Sequence, residues 1–215
     1  MPVRKIPPKH LGLTGVLRGR NGDRIAFESS LERDFIQLML FDPKVMSVEE
    51  QPVCISVPNG IGFGKTYVPD FLVSYEKESP RLIEVKPSDE LHVNKDRFAD
   101  RFRAAEDYAG SRGWSFEVWT EQEIRVPRLS CAQFLLPFRE QTSDPAISAQ
   151  LCALLSDARR PMPVSRTLES YREDPAQYGA ALRAVWCLLA DGTFRAEFDG
   201  PIGLETNIWF QRRAL

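Results

Sequence analysis

Histidine and cysteine are scarce in this 215-residue chain: there are two histidines, His10 and His92, and four cysteines, Cys54, Cys131, Cys152 and Cys187, none in CxxC spacing. A structural zinc site needs clustered Cys and His ligands, so that class is excluded. The cysteines sit in apolar stretches such as PVCISV and VWCLLA, which predicts buried, reduced thiols in a cytosolic protein. Long apolar runs are missing too. No window reaches transmembrane length, and MPVRKIPPKHLGLTG lacks the apolar core of a signal peptide, so the expectation is a soluble, cytoplasmic chain with no membrane partner. Nor is there an excess of charge of one sign. With 28 Lys+Arg against 30 Asp+Glu the net charge is −2, so contact with nucleic acid would have to rest on local patches. What is present, 43% hydrophobic and 27% charged residues, suffices for one large domain or two small ones.

The charge is unevenly spread. Residues 1–26 carry Arg4, Lys5, Lys9, Arg18, Arg20 and Arg24 against Asp23 alone, a basic arm of net +5. Pro7-Pro8 keeps its start extended, and Asn21-Gly22 between VLRGR and RIAF signals a hairpin. After Ser29, the run LERDFIQLMLF places Leu31, Phe35, Leu38 and Met39 at helical spacing, and Asp42-Pro43 ends that helix. Strand character follows in VCISV (53–57), YVPDFLVSY (67–75) and RLIEVK (81–86), with a turn at Pro58-Asn59-Gly60 and the last two strands forming a hairpin. A helix over about 94–109 has Phe98, Phe102, Ala105 and Ala109 on one face, and WSFEVWT (114–120) is a further strand. This order predicts a mixed α/β core with a sheet between helices. The last lysine is Lys95, and from residue 142 the pattern turns helical with arginine as the only strong base. Helices over about 146–158, 164–172 and 176–190, then strands TFRAEF and TNIWF, predict a small winged helix-turn-helix module. The expected domains are therefore 1–140 and 142–215.

Pro69-Asp70 lies on one strand of the hairpin and Glu84-Val85-Lys86 on the next, where alternation puts Glu84 and Lys86 on one sheet face. Carboxylates facing each other at half-buried positions repel unless a cation joins them. Asp70 and Glu84 can thus offer hard oxygen ligands to Mg²⁺ or Mn²⁺, with Lys86 placed to orient or help deprotonate a water. The toolkit is that of a metal-dependent phosphodiesterase. A third acid is expected from the preceding helix: Glu32, with Glu28 in reserve. Ser29-Ser30-Leu31-Glu32 also has capping-box spacing, in which Glu32 merely returns a hydrogen bond to the backbone. For Asp70, Glu84 and Lys86 the plainer alternative is a solvated strand face with a surface ion pair.

The run GDRIAFESSLERDFIQLMLFDPKVMSVEEQP, then YVPDFLVSYE, LIEVKP and WSFEVWTEQEIR, resembles over about residues 15–125 the N-terminal domain of the TnsA transposon endonucleases, which are restriction-endonuclease-like PD-(D/E)xK nucleases. The resemblance implies a restriction-endonuclease-like mixed sheet core and a catalytic set of Glu32, Asp70, Glu84 and Lys86. It implies about two Mg²⁺ or Mn²⁺ ions held by Glu32, Asp70, Glu84 and Val85. The family tolerates Gln at the position of Glu84. It further implies cleavage of one strand, on the 5′ side, at each transposon end in double-stranded DNA. A transposase subunit of TnsB type would handle the other strand and an AAA+ ATPase regulator of TnsC type would link the two, in a prokaryotic, nucleoid-associated setting. Gln51-Pro52 in EEQP also matches the family, though on its own it reads as a turn leading into a strand. Arg18, Arg20, Arg24, Lys95 and Arg97 are the candidate DNA contacts, against the alternatives of a frayed terminus and an amphipathic helix face on which Asp96, Asp100, Glu106 and Asp107 interleave.

The C-terminal module carries eight Arg and nine Asp+Glu over residues 142–215, and its third helix has Arg183 as its only basic residue. A groove-reading helix presents more donors than that, so a protein partner suits this module better. Trp186, Phe194, Phe198, Trp209 and Phe210 read as module core. Two rivals remain: a stand-alone restriction or repair nuclease on the same fold, and a nuclease-fold adaptor that bridges transposase and ATPase without cutting.

Overall fold

The computed structural model describes residues 13–57 and 66–211. Arg4, Lys5 and Lys9 of the basic arm, the Pro7-Pro8 pair, His10 and the turn at Pro58-Asn59-Gly60 lie outside the described residues. The chain divides into two units, Met1–Val126 and Pro127–Leu215.

In the first unit β1 (Gly15–Arg18) and β2 (Arg24–Phe27) pair antiparallel, with Arg18 opposite Arg24. The expected Asn21-Gly22 turn joins them, and Gly22 takes a φ of 81° that a side chain would strain. Helix α1 (Ser30–Phe41) starts where the sequence signals it: the Ser29 hydroxyl accepts the Glu32 N–H at 3.1 Å. It stops at Asp42, whose N–H donates to the Leu38 and Met39 carbonyls ahead of Pro43. Strand β3 (Val45–Glu50) follows directly and was not foreseen, because its inward residues Val45 and Val48 are separated by the mixed pattern of Met46, Ser47, Glu49 and Glu50. A two-stranded ladder of β4 (Ile55–Ser56) and β5 (Thr66–Tyr67) comes next. Here Cys54 is exposed, and Cys152 in the second unit is only half-buried, which corrects the expectation of four buried thiols: at Cys54, Ile55 and Val57 alternate inward and leave Cys54 and Ser56 outside.

The principal sheet has the order β3-β6-β7-β8, built with β6 (Phe71–Tyr75), β7 (Arg81–Val85) and β8 (Ser115–Trp119). Strands β3, β6 and β7 are antiparallel neighbours, and β6 and β7 form the expected hairpin with Phe71 opposite Ile83. Strand β8 runs parallel to β7, which requires a long crossover; α2 (Ser88–Val93) and α3 (Lys95–Gly110) supply it. One sheet face packs against α1, where the Phe35 ring stacks on Phe71 at 5.2 Å and meets Trp119 edge-on at 5.4 Å. The other face packs Leu72 and Leu82 against Ala105 and Ala109 of α3, with Ile55, Val57 and Tyr67 in the same cluster. Helix α4 (Glu121–Ile124) closes the unit behind a capping box between Thr120 and Glu123. A mixed sheet flanked by helices fits a restriction-endonuclease-like core.

The second unit holds α5 (Pro127–Leu135), a 3₁₀ turn (Leu136–Glu140), α6 (Pro145–Asp157), β9 (Met162–Pro163), α7 (Val164–Thr167), a second 3₁₀ turn (Glu169–Tyr171), α8 (Pro175–Ala190), β10 (Phe194–Ala196) and β11 (Asn207–Phe210), so the helix expected over 164–172 is one α-helical turn followed by a 3₁₀ turn. Helices α6 and α8 each begin at an Asp-Pro step: the Asp144 and Asp174 carboxylates cap the first free N–H groups and the proline occupies a position that needs none. The sheet order β10-β11-β9 is antiparallel throughout, and α8 packs on β10, α5 and α6. The contact boundary at 126/127 falls before the 140/142 step in composition, because α5 and the 3₁₀ turn pack on α8 while carrying no change in residue type that marks them. Of the five aromatics assigned to the core, Trp186 and Phe194 are buried, whereas Phe198, Trp209 and Phe210 are half-buried. Among the described residues no helix is long and apolar enough to cross a membrane.

Phe35 is completely buried one turn beyond Glu32. Phe35→Ala should therefore destabilise the protein by about 3–5 kcal/mol, and Phe35→Leu by markedly less, as read by urea unfolding.

Candidate active site

The hairpin register decides what meets at the end of β6 and β7. Asp70 immediately precedes β6, and its Oδ2 accepts the N–H of Val85 at 2.8 Å, which ties the aspartate to the last residue of β7. Glu84 points to the α3 face, two residues beyond Leu82, and is 3% exposed. Its Oε2 accepts from the Tyr67 hydroxyl at 2.6 Å and its Oε1 pairs with Lys86 Nζ at 2.9 Å. The same ammonium lies 3.5 Å from Asp70 Oδ2 and 3.2 Å from the Val85 carbonyl. Lys86 thus gathers around one cation three of the oxygens expected to hold metal. The surface ion pair that was the plainer alternative does not describe this cluster, since Glu84 is buried.

Glu32 faces the same cleft from the first turn of α1. Its Oε2 accepts the Glu28 N–H at 2.7 Å and its Oε1 the Ser29 hydroxyl at 3.0 Å, so the capping role is real, with the return bond falling on Glu28 instead of Ser29. Burial, then the negative charge of Asp70, raise the Glu32 pKa against these hydrogen bonds. Burial also raises Asp70, with Lys86 and the Val85 N–H opposing it. Burial works against the Lys86 ammonium, but Asp70 and Glu84 outweigh it and raise its pKa. In this arrangement Lys86 keeps its proton, which favours orienting a water or steadying charge over accepting a proton. Burial, then the Glu84 charge, hold the Tyr67 hydroxyl protonated as a donor.

Glu32, Asp70, Val85 and Lys86 line a cleft of about 750 Å³ together with Glu28 and Gln51. Glu84 is drawn behind its wall by Tyr67 and Lys86. Among the described residues no three His, Cys, Asp or Glu side chains enclose an ion by themselves. The donor set nevertheless fits a hard divalent cation: the Asp70 charge raises the pKa of both Glu32 and Glu84, carboxylates so crowded need positive charge, and Lys86 Nζ already sits among Asp70, Glu84 and the Val85 carbonyl.

Several partners escaped the sequence. Tyr67 was visible only as an aromatic hydroxyl three residues before Asp70. Asp34, buried in α1, pairs with Arg33 at 2.7 Å and with Arg125 Nε at 3.3 Å, which joins α1 to the segment after α4 at the cleft wall. Glu121 accepts the Ser88 N–H at 3.0 Å and the Ser88 hydroxyl, holding the start of α2 beside the site. None of the five candidate DNA contacts lines the cleft. Arg18 and Arg24 are exposed on the hairpin, and Lys95 and Arg97 on the first turn of α3. Arg20 donates to the Leu40 carbonyl at 2.9 Å and to that of Asp42, so its guanidinium serves the C-terminal carbonyls of α1.

Burial and the neighbouring Asp70 push Glu84 up to about 7 from an ordinary 4.5, with Lys86 and Tyr67 opposing. Because the folded value lies above the unfolded one, the native state keeps a proton that the unfolded chain has released. That stability is fully present below the unfolded pKa and is lost as pH rises through the folded one. Glu32 and Asp70 act with the same sign. In EDTA the unfolding free energy should fall by on the order of 3 kcal/mol between about pH 5 and about pH 8, and Glu84→Gln should remove most of that slope.

Residues 42–121 match the family model of the TnsA-like endonuclease N-terminal domain, a stretch that contains Gln51, Asp70, Glu84 and Lys86 but not Glu32. No curated protein matches the chain. The segment 42–121, with the strand acids and lysine of the cleft, is thus similar to the TnsA-like endonuclease N-terminal domain.

Proposed function

We propose that the chain is the Mg²⁺-dependent endonuclease subunit of a heteromeric cut-and-paste transposase, cutting one strand on the 5′ side at each transposon end. The observation that carries this reading is the convergence of Asp70, Glu84, the Val85 carbonyl and Lys86 at one end of the β6–β7 hairpin, facing Glu32 across a polar cleft. Glu32, Asp70, Glu84 and the Val85 carbonyl would hold one or two Mg²⁺ or Mn²⁺ ions. Once bound, such an ion lowers the pKa of a water and offsets charge on the phosphate. Lys86, held between Asp70, Glu84 and the Val85 carbonyl, would orient the attacking water and sit against the phosphate. Tyr67 holds Glu84 just behind the cleft wall. Ser29 and the Glu28 N–H set the Glu32 carboxylate, and Asp34 with Arg125 braces the helix that carries it.

The second unit supports a winged-helix module: α6, β9, α7, α8, β10 and β11 follow in that order, with β11 between β10 and β9. Arg183 remains the one basic residue of α8. This composition favours protein partners for the module, a transposase of TnsB type and an AAA+ regulator of TnsC type, over reading a DNA groove.

The test is a strand-specific cleavage assay on a transposon-end duplex with Mg²⁺, run with and without those two neighbours. The wild-type chain should cut the 5′ strand in their presence. Asp70→Ala should lose more than about 100-fold, beyond what disturbing a ligand's support alone produces. Undiminished cutting by Asp70→Ala, or equal cutting of plain duplex without partners, would sink the assignment.

A further inference from the structure

Gln51 is the one non-glycine among the described residues with a left-handed backbone, φ 45°. It ends β3, and its N–H donates to the Asp70 carbonyl at 2.7 Å, which fastens the strained residue beside the catalytic aspartate. The twist turns its side chain into the cleft that Glu32, Asp70 and Val85 also line. There Nε2 donates to Glu28 Oε1 at 3.5 Å. The amide cannot be reversed without setting its oxygen against that carboxylate. Oε1 therefore points the other way, and it is the one buried side-chain oxygen or nitrogen among the described residues with no hydrogen-bond partner. A buried acceptor left open beside three carboxylates, on a backbone held in an unfavourable conformation, is the pattern of a site awaiting a ligand rather than of a turn.

We propose that Gln51 supplies a further oxygen to the divalent ion of the cleft, directly or through one water. An amide carbonyl is a hard, neutral donor, so it adds a ligand without adding to the repulsion among Glu28, Glu32 and Asp70. This rests on the reading of the cleft as a metal site. Gln51 then belongs with the residues that place the ion relative to the phosphate, and its left-handed backbone is the cost of aiming the carbonyl.

The strain makes a clean test possible, because glycine adopts φ 45° without penalty. The full chain is titrated with MnCl₂ by calorimetry, and thermal unfolding is followed in EDTA. Gln51→Gly should unfold at the same or a higher temperature than wild type yet bind Mn²⁺ roughly tenfold or more weakly. Gln51→Met, which keeps the length but removes the oxygen, should be weakened likewise, and Gln51→Glu should retain binding. Wild-type Mn²⁺ affinity in both Gln51→Gly and Gln51→Met would overturn the proposal while leaving the metal site intact, provided Asp70→Ala loses binding. If Asp70→Ala titrates like wild type, the metal reading of the cleft falls and Gln51 falls with it.

Discussion

Everything at the cleft depends on how buried negative charge is balanced at the end of one hairpin. Asp70 and Glu84 are brought together by the β6–β7 register, and neither can move away: Asp70 is bonded to the Val85 backbone and Glu84 to Tyr67. Two such carboxylates in a poorly hydrated place are tolerable only with a proton or a cation between them. Lys86 supplies the cation here, at 2.9 Å from Glu84 and 3.5 Å from Asp70. The ammonium thus stands between two carboxylates that would otherwise repel each other across the end of the hairpin.

The surrounding fold is arranged to keep that cluster in place. Phe35 wedges between Phe71 and Trp119, so the helix that carries Glu32 is positioned by β6, which Asp70 precedes, and by β8, the neighbour of the strand that Lys86 follows. The Lys86 N–H donates to the Trp119 carbonyl, which extends the β7–β8 pairing one residue beyond the strand and holds the lysine backbone. On the opposite face α3 covers Leu82, and Tyr67, in the same apolar cluster, reaches Glu84. The site thus draws on both faces of the sheet: the Glu32 acid comes with the α1 face and the Glu84 acid with the α3 face. Gln51 adds a third approach, from the end of β3.

Much of this was legible because local chemistry and tertiary structure agree. Ser29 caps the helix it was expected to cap, Asn21-Gly22 turns the hairpin, and β6 pairs with β7 as expected, although the strand expected over 67–75 is broken at Pro69-Asp70, with Tyr67 paired to β4 instead. Where they disagree, a residue's partner is remote in sequence. Strand β3 hides its two inward valines among charged neighbours, and only pairing with β6 makes it a strand. Cys54 sits in an apolar string yet faces solvent, because a two-stranded ladder has an outer side. Arg20 counted as a DNA contact by charge, but the C-terminal carbonyls of α1 twenty residues on claim its guanidinium. Gln51 read as a turn leading into a strand and is instead a left-handed bend just after β3; that the bend aims its amide into the cleft depends on Asp70 being across the sheet.

By itself the sequence determined most of the element order of the first unit, which acids and lysine cluster, and the likeness of residues 42–121 to the TnsA-like endonuclease N-terminal domain, because alternation, caps and the PD…ExK spacing are local properties of the chain. Only the tertiary structure decided the charge state of the cluster. Burial and the mutual approach of Glu32, Asp70, Glu84 and Lys86 shift their proton affinities, and these depend on distances that no spacing encodes. It also decided that Glu84 is held by Tyr67 and that one amide oxygen of Gln51 is left open, since hydrogen bonding is settled by which groups the fold brings within about 3 Å of each other.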